Sequence, residues 1–276
     1  MALFISLCAF AVEKDDVRYE NEDITRFNEV MELLKSDRDL PMDQTVIKIA
    51  KHFLGTPYVS FTLEKDPEKL TVNTRETDCI IFVEMCLAMS ITSKEDNPSF
   101  DKYIEVLKSL RYRNGVVDGY ASRLHYTSEW IIQGTGNGYF HEITGEIGGI
   151  PWDQKFNFMS THPKSYRQIR ENPALVGKIQ EAERNLEKYS YVYIPKPQLP
   201  NHIEGIKSGD IICFNDSTPG LDIAHVALAY WENGKLTFIH ASMGAKKVII
   251  NPTPLVDYTN GIKGHNGLRV VRINER

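Results

Sequence analysis

The sequence predicts an α+β protein, with helices in its first half and an antiparallel sheet in its last third. Three observations carry this. Residues 80–89 are apolar almost all round, behind the polar triplet Thr77-Asp78-Cys79, which is the pattern of a capped, buried helix. After about residue 205, helical spacing gives way to short apolar runs separated by turns. Between two of those runs stands Asn233-Gly234, the strongest short-range hairpin signal.

The chain has 276 residues, enough for one large domain, and residues 12–276 read as a single one. Its formal net charge of -5 leaves no basic footprint for nucleic acid, so that class of partner is set aside. The four cysteines are Cys8, Cys79, Cys86 and Cys213. No CxxC or HxxxH pair marks a structural zinc site. Cys79 and Cys86 are two turns apart on one helix, roughly 10 Å, too far to bridge. Residues 1–11 are apolar, too short to span a bilayer as a mature helix, and end in Ala9-Phe10-Ala11. That ending fits the small-x-small cleavage pattern of an export signal, although the basic start is missing. The expectation is a secreted or periplasmic protein with no stable membrane span.

Taken in order, Ile24, Phe27, Val30, Met31, Leu33 and Leu34 space out one amphipathic helix within residues 13–37. Leu40-Pro41 breaks it. A second helix follows from Thr45 to Leu54, stopped by Gly55-Thr56-Pro57-Tyr58. Residues 59–75 read as a loop or short strand leading to Cys79. Asn97-Pro98-Ser99 caps a helix near residues 101–110. Residues 111–140 are rich in Gly, Tyr, Trp and His, as in a carbohydrate or peptide cleft or a loop-rich core. Asn172-Pro173 opens a helix to about Tyr189, and Pro195, Pro197 and Pro200 mark an extended connector. Strands are then expected at 211–214, 225–231, 236–242, 248–250 and 268–273.

Cys79 lies at the start of the apolar helix, where partial positive charge favours a thiolate. It is either a nucleophile or a small buried hydrophobe. The hairpin supplies a register. With Asn233 and Gly234 as turn residues, Trp231 faces Leu236 and Ala227 faces His240. Residues 225, 227, 238, 240 and 242 then share one face. His225 and His240 become diagonal neighbours, about 7–8 Å apart by Cα, across the small Ala227. Two imidazoles so placed suit a base and its orienter, and Cys79 completes a Cys–His–His set.

Leu54-Gly55-Thr56-Pro57-Tyr58, Asp78-Cys79-x-x-Phe82-Val83, Ser208-Gly209-Asp210-Ile211, His225-Val226-Ala227-Leu228 and Phe238-Ile239-His240-Ala241 stand in the order seen in the NlpC-type bacterial cell-wall cysteine hydrolases. The chain resembles that family over roughly residues 45–90 and 205–250. The resemblance implies a papain-like α+β fold, with the nucleophile's helix packed on the sheet. It implies Cys79 as nucleophile, His225 as base and His240 as orienter. Tyr58 matches a family tyrosine near the nucleophile, and Asp78 a position beside it. Ile80-Ile81 replaces the small Ser-Gly pair usual after the cysteine. The insertion at about 91–205 is far longer than in compact members. With Arg123-Leu124-His125-Tyr126-Thr127-Ser128-Glu129-Trp130 inside it, the chain resembles a secreted, N-acetylmuramoyl-L-alanine-amidase-like branch. The insertion is read as a cleft wall, with Arg123 meeting a substrate carboxylate bidentately and His125 making a polar substrate contact, or with both of them as struts that hold the insertion together.

The expected activity is hydrolysis of a peptidoglycan amide through an acyl-enzyme on Cys79, with no cofactor and no metal. Peptidoglycan or muropeptides are the expected partners. The branch points to the lactyl–L-alanine amide, and the wider family to the γ-D-glutamyl–diamino acid bond. Two rivals stand beside it: a zinc amidase with Cys79, His225 and His240 as ligands, and a non-catalytic wall-binding module.

Overall fold

The computed structural model describes residues 16–276; the expected export signal lies outside them. A two-residue strand β1 (Val17–Arg18) precedes helix α1 (Asn21–Leu34). The cap of α1 is reciprocal, with Asp23 accepting the Glu20 N–H at 2.8 Å, and its buried stripe is Phe27, Val30 and Leu34. Next come α2 (Met42–His52), β2 (Leu70–Thr71), α3 (Cys79–Ser93) and α4 (Phe100–Arg111). Strand β2 pairs in parallel with β1. The cap residue of α3 is Asp78, not Thr77: its Oδ1 accepts the Ile81 N–H at 3.0 Å. From Ile81 to Ser93 every residue of α3 is buried, as its all-round apolarity predicts.

The insertion contributes α5 (Thr127–Gly136), β3 (Phe140–Glu142), β4 (Ile150–Trp152), α6 (Phe158–Thr161), α7 (Arg167–Glu171), α8 (Leu175–Leu186) and β5 (Tyr191–Pro195). The last part holds β6 (Ile211–Asp216), β7 (Ile223–Glu232), β8 (Lys235–Ser242), β9 (Lys247–Ile250), α9 (Leu255–Gly261) and β10 (His265–Ile273). The sheet order is β4-β5-β10-β6-β7-β8-β9, with β3 also on β10, and every pairing in it is antiparallel. The expected α+β architecture is present, with one correction to its partition. The insertion is not separate from the sheet, because β3, β4 and β5 extend it. The expected proline connector begins as strand β5, which keeps Pro195 at its last position and then turns through the 3-10 helix Lys196–Asn201.

The hairpin register is as expected: Trp231 faces Leu236 and Leu228 faces Ile239. Asn233 and Gly234 have φ of 50° and 74°, the left-handed pair that a tight two-residue hairpin requires. Alternation then divides the sheet's two faces. Val226, Leu228, Ile239 and Ala241 join the α1–α4 core, while Ala227, Ala229 and Phe238 join a second core with Leu255. The turn Ser208-Gly209-Asp210 is fixed sterically. Gly209 has φ +88°, and a Cβ there would lie 2.7 Å from the Asp43 Cα.

Candidate active site

Helix α3 packs on β7 and β8, and its N-terminus reaches the start of β7. There a cavity of about 200 Å³ is lined by Cys79 and Ile80, by residues 223–226, and by Leu124, His125, Thr127 and Trp130 of the insertion. The register of β7 shifts by one residue at this point, since Phe214 faces His225 while Asn215 faces Ile223. The extra residue is Ala224. A bulge of this kind re-aims the neighbouring side chain, and here that side chain is His225.

His225 Nε2 lies 2.7 Å from His240 Nδ1. This leaves His225 Nδ1 as the nitrogen available on the cavity side. For Nδ1 to act as a base, Nε2 must carry the proton and donate to His240 Nδ1. His240 is buried, its ring against Phe238 at 4.7 Å, so its position is set by packing. Sequence reading missed Asn251, whose side chain lies beside His240 and favours its charged form. Carrying the β8–β9 pairing one step past Ile250 would have found it, because the Asn251 N–H donates to the Phe238 carbonyl at 2.8 Å. It also missed His265, stacked on Phe214 at 4.9 Å, while Phe214 itself touches His225 at 5.5 Å.

The electrostatics correct one expectation. Burial pushes the Cys79 thiol up to about 12, and the Asp78 carboxylate adds to the rise. The backbone N–H groups of Val226, Ile80 and Cys79 pull the other way and do not overcome it. Burial lowers His225 to about 3, with His240 and His265 adding to the shift. The resting pair is therefore a thiol and a neutral imidazole. The helix terminus does not make a standing thiolate here, because a half-buried sulfur loses more solvation than the helix end returns.

Tyr58 is half-buried and close enough to Cys79 and Asp78 for their charges to raise its pKa, after burial itself. Its N–H donates to the Lys246 carbonyl at 3.0 Å, tying it to the β8–β9 turn. His125 reaches the cavity. Its Nε2 bonds the Tyr120 carbonyl at 2.8 Å, and burial, with the Arg123 charge, lowers it to about 3. Arg123 is not brought to this cavity. It is buried, with Nη1 2.9 Å from Glu64 and Nε 3.4 Å from Glu68. Two internal carboxylates already face its guanidinium, so it braces the insertion against residues 64–68 instead of meeting a substrate carboxylate. Among the described residues, no three His, Cys, Asp or Glu side chains form a metal-binding group, and no helix is long and apolar enough to cross a membrane.

Four imidazoles whose pKa values desolvation lowers, His240 and His265 buried and His125 and His225 partly so, share one consequence. His125 and His225 are lowered to about 3, and His240 and His265 to about 4. In the unfolded chain each takes a proton below about pH 6.5. Between pH 6.5 and 4 the unfolded state therefore binds more protons, and stability falls as pH falls. Buried Asp78, Glu84 and Asp222, whose pKa values are raised, act in the opposite sense in the carboxylate range. The Tm is expected to drop by at least about 5 °C between pH 7 and pH 5. A Tm unchanged over that interval, read by calorimetry, would contradict the neutral state of these four histidines in the fold.

A cysteine and an imidazole on one cavity, the imidazole held by a second histidine, define the class: a thiol–imidazole site on an α+β scaffold. Residues 48–265 match the family described as AmiA-like, N-acetylmuramoyl-L-alanine amidase-like, and the chain belongs to that family. Among solved structures it is similar to an N-acetylmuramoyl-L-alanine amidase from Bacteroides uniformis. The identity is 36%, the TM-score 0.81, and the match covers 85% of this chain and 99% of that one. A Bacteroides fragilis protein described as a candidate xylanase is similar at 35% identity and TM-score 0.77, over 81% of this chain and 99% of that one. Protein LPG0564 of Legionella pneumophila shares the fold at 20% identity and TM-score 0.70, over 93% of this chain and 98% of that one. No curated protein matches.

Proposed function

We propose that this protein is an exported cysteine amidase of the papain-like NlpC type, cutting the lactyl–L-alanine amide of peptidoglycan. The observation that carries the reading is the shared cavity of Cys79 and His225, with His225 Nε2 held 2.7 Å from His240 Nδ1. Membership of the amidase-like family and the amidase description of the B. uniformis relative support the choice of bond. Export rests on residues 1–11. The xylanase description would require two carboxyl groups flanking a glycosidic bond, and no Asp or Glu lines this cavity.

In this scheme His225 Nδ1 takes the Cys79 proton as sulfur attacks the lactyl carbonyl. The thiol and imidazole start neutral, so proton transfer accompanies attack. The oxyanion meets the N–H groups at the start of α3, including that of Cys79. His225 then returns the proton to the departing L-alanine nitrogen as the C–N bond breaks. Water gives a proton to the same imidazole and attacks the thioester carbonyl; the C–S bond breaks, the imidazolium returns the proton to the Cys79 sulfur, and the lactyl carboxyl group is freed. His240 accepts from His225 Nε2 throughout and stabilises the imidazolium.

Exchanging His225 for alanine is expected to lower kcat about 10²–10⁴-fold, and His240→Ala to lower kcat by a smaller factor with little change in KM. Steady-state turnover of a purified muropeptide measures both. Unimpaired kcat in His225→Ala would remove the scheme.

A further inference from the structure

We propose that Asn251 is a positioning residue of this site: its amide oxygen holds the proton of His240 on Nε2, and His240 in turn leaves Nδ1 of His225 free to act as base. This rests on the reading of Cys79 and His225 as nucleophile and base.

The two imidazoles can be protonated in two ways. His225 Nε2 and His240 Nδ1 lie 2.7 Å apart and share one proton. With that proton on His225 Nε2, His225 Nδ1 is bare and can accept from a thiol. With it on His240 Nδ1, a neutral His225 carries its own proton on Nδ1 and cannot. The first arrangement puts the proton of a neutral His240 on Nε2. That atom is buried and has no partner at hydrogen-bond distance, and a buried donor without an acceptor is costly. The short contact between the rings therefore does not choose the active arrangement. The group beside His240 Nε2 does.

That group is Asn251. His240 faces Ile249 and Ile239 faces Ile250, so one step further Asn251 stands opposite Phe238, on the face that His240 shares and diagonal to it. Its backbone is held at both ends: the N–H donates to the Phe238 carbonyl at 2.8 Å, and the carbonyl accepts from Thr237 Oγ1 at 2.5 Å. Its amide is oriented as well. Nδ2 donates to the Thr253 carbonyl at 2.6 Å. A carbonyl can only accept, so the NH2 end must face Thr253, and Oδ1 is the end left for His240. The contact favours a protonated His240, as an acceptor oxygen does and an amide NH2 does not. Asn251 is 7% exposed, so water competes little for that oxygen. The contact is longer than a hydrogen bond in the resting protein and shortens as the imidazolium forms.

The test is long-range 1H–15N NMR of the 15N-histidine-labelled protein, which reads the nitrogen that carries each proton, beside steady-state turnover of a muropeptide. In the wild type at about pH 8, both His225 and His240 are expected to be protonated on Nε2. Asn251→Leu, similar in size but with no acceptor, is expected to show His225 protonated on Nδ1. It should lose at least about tenfold in kcat with KM within about twofold. Asn251→Asp keeps an acceptor and, at about pH 8.5, should regain at least about tenfold in kcat over Asn251→Leu. Its carboxylate favours a charged His240, whose Nδ1–H then donates to His225 Nε2 and puts the His225 proton on Nδ1. The acid limb of its kcat profile should therefore lie at least about one pH unit above that of the wild type. The other titratable groups around His240 are His225 from β7 and Tyr258 from α9, with His265 of β10 behind Tyr258. Burial lowers both histidines and raises the tyrosine, so all three are neutral over this range. Wild-type His240 protonated on Nδ1 would overturn the proposal. So would unchanged tautomers in Asn251→Leu, whatever its kcat, or an unmoved acid limb in Asn251→Asp. If Asn251→Leu does not fold, the wild-type tautomers and the Asn251→Asp profile decide. The tautomers are read without substrate. The expected tautomers without lactyl–L-alanine cleavage by the wild type would keep the role of Asn251 and defeat the amidase reading; cleavage with tautomers indifferent to Asn251 would do the reverse.

Discussion

Arg111→Met is expected to destabilise the protein by about 3–5 kcal/mol. Arg111 and Glu84 are each about 3% exposed at the side chain, with Nε 2.7 Å from Glu84 Oε2. The Arg111 Nη1 also donates to the Thr71 carbonyl at 2.6 Å. Removing the cation leaves Glu84 buried in the middle of α3 without a counter-charge, in the regime where a broken buried pair costs about 3–5 kcal/mol. Glu84 answers by staying protonated, since burial already raises its pKa and Arg111 is the chief group that opposes the rise. The double variant Glu84→Leu/Arg111→Met removes both charges and is expected to recover most of the loss, because an apolar pair of similar volume is often neutral or better. Urea unfolding of both variants measures this. A single variant within about 1 kcal/mol of the wild type would show that the pair is not a strut of α3.

That pair also shows where sequence reading stops. Glu84 stands inside an apolar run, and its partner is 27 residues away, so nothing local announces the contact. The helix itself was legible, because burial all the way from Ile81 to Ser93 leaves the run apolar on every side, broken only by Glu84 before Ser90. The His225–His240 contact was legible for a different reason: one hairpin turn fixes the register, and alternation does the rest. Strands β3 and β4 were not legible. Each has three residues, too few to show alternation, and their place beside β10 and β5 is set by tertiary pairing. The thiol's protonation was misjudged because the helix end can be read from sequence, whereas desolvation by residues 223–226 and the insertion cannot. For Arg123 sequence reading left two roles open, substrate contact or strut, and could not choose between them because its carboxylate partners, Glu64 and Glu68, lie in a stretch that carries no helical or strand pattern.

Exchanging Cys79 for alanine is expected to abolish turnover, with a loss of about 10⁴-fold or more. No other thiol substitutes among the described residues, since Cys86 and Cys213 are fully buried and absent from the cavity lining. Cys79 is half-buried at a cavity wall, so the smaller side chain leaves the helix cap at Asp78 intact, and the variant should stay folded and keep its substrate affinity. A folded, binding, inactive Cys79→Ala protein is the signature of a nucleophile and not of a packing residue.

The most direct measurement is mass spectrometry of a purified disaccharide-tetrapeptide after incubation with the wild type and, in parallel, with Cys79→Ala. The account predicts two wild-type products, the intact disaccharide with a free lactyl carboxylate and a tetrapeptide beginning at L-alanine, and neither from Cys79→Ala. A cut between D-glutamate and the diamino acid, or the same products from Cys79→Ala, would contradict it.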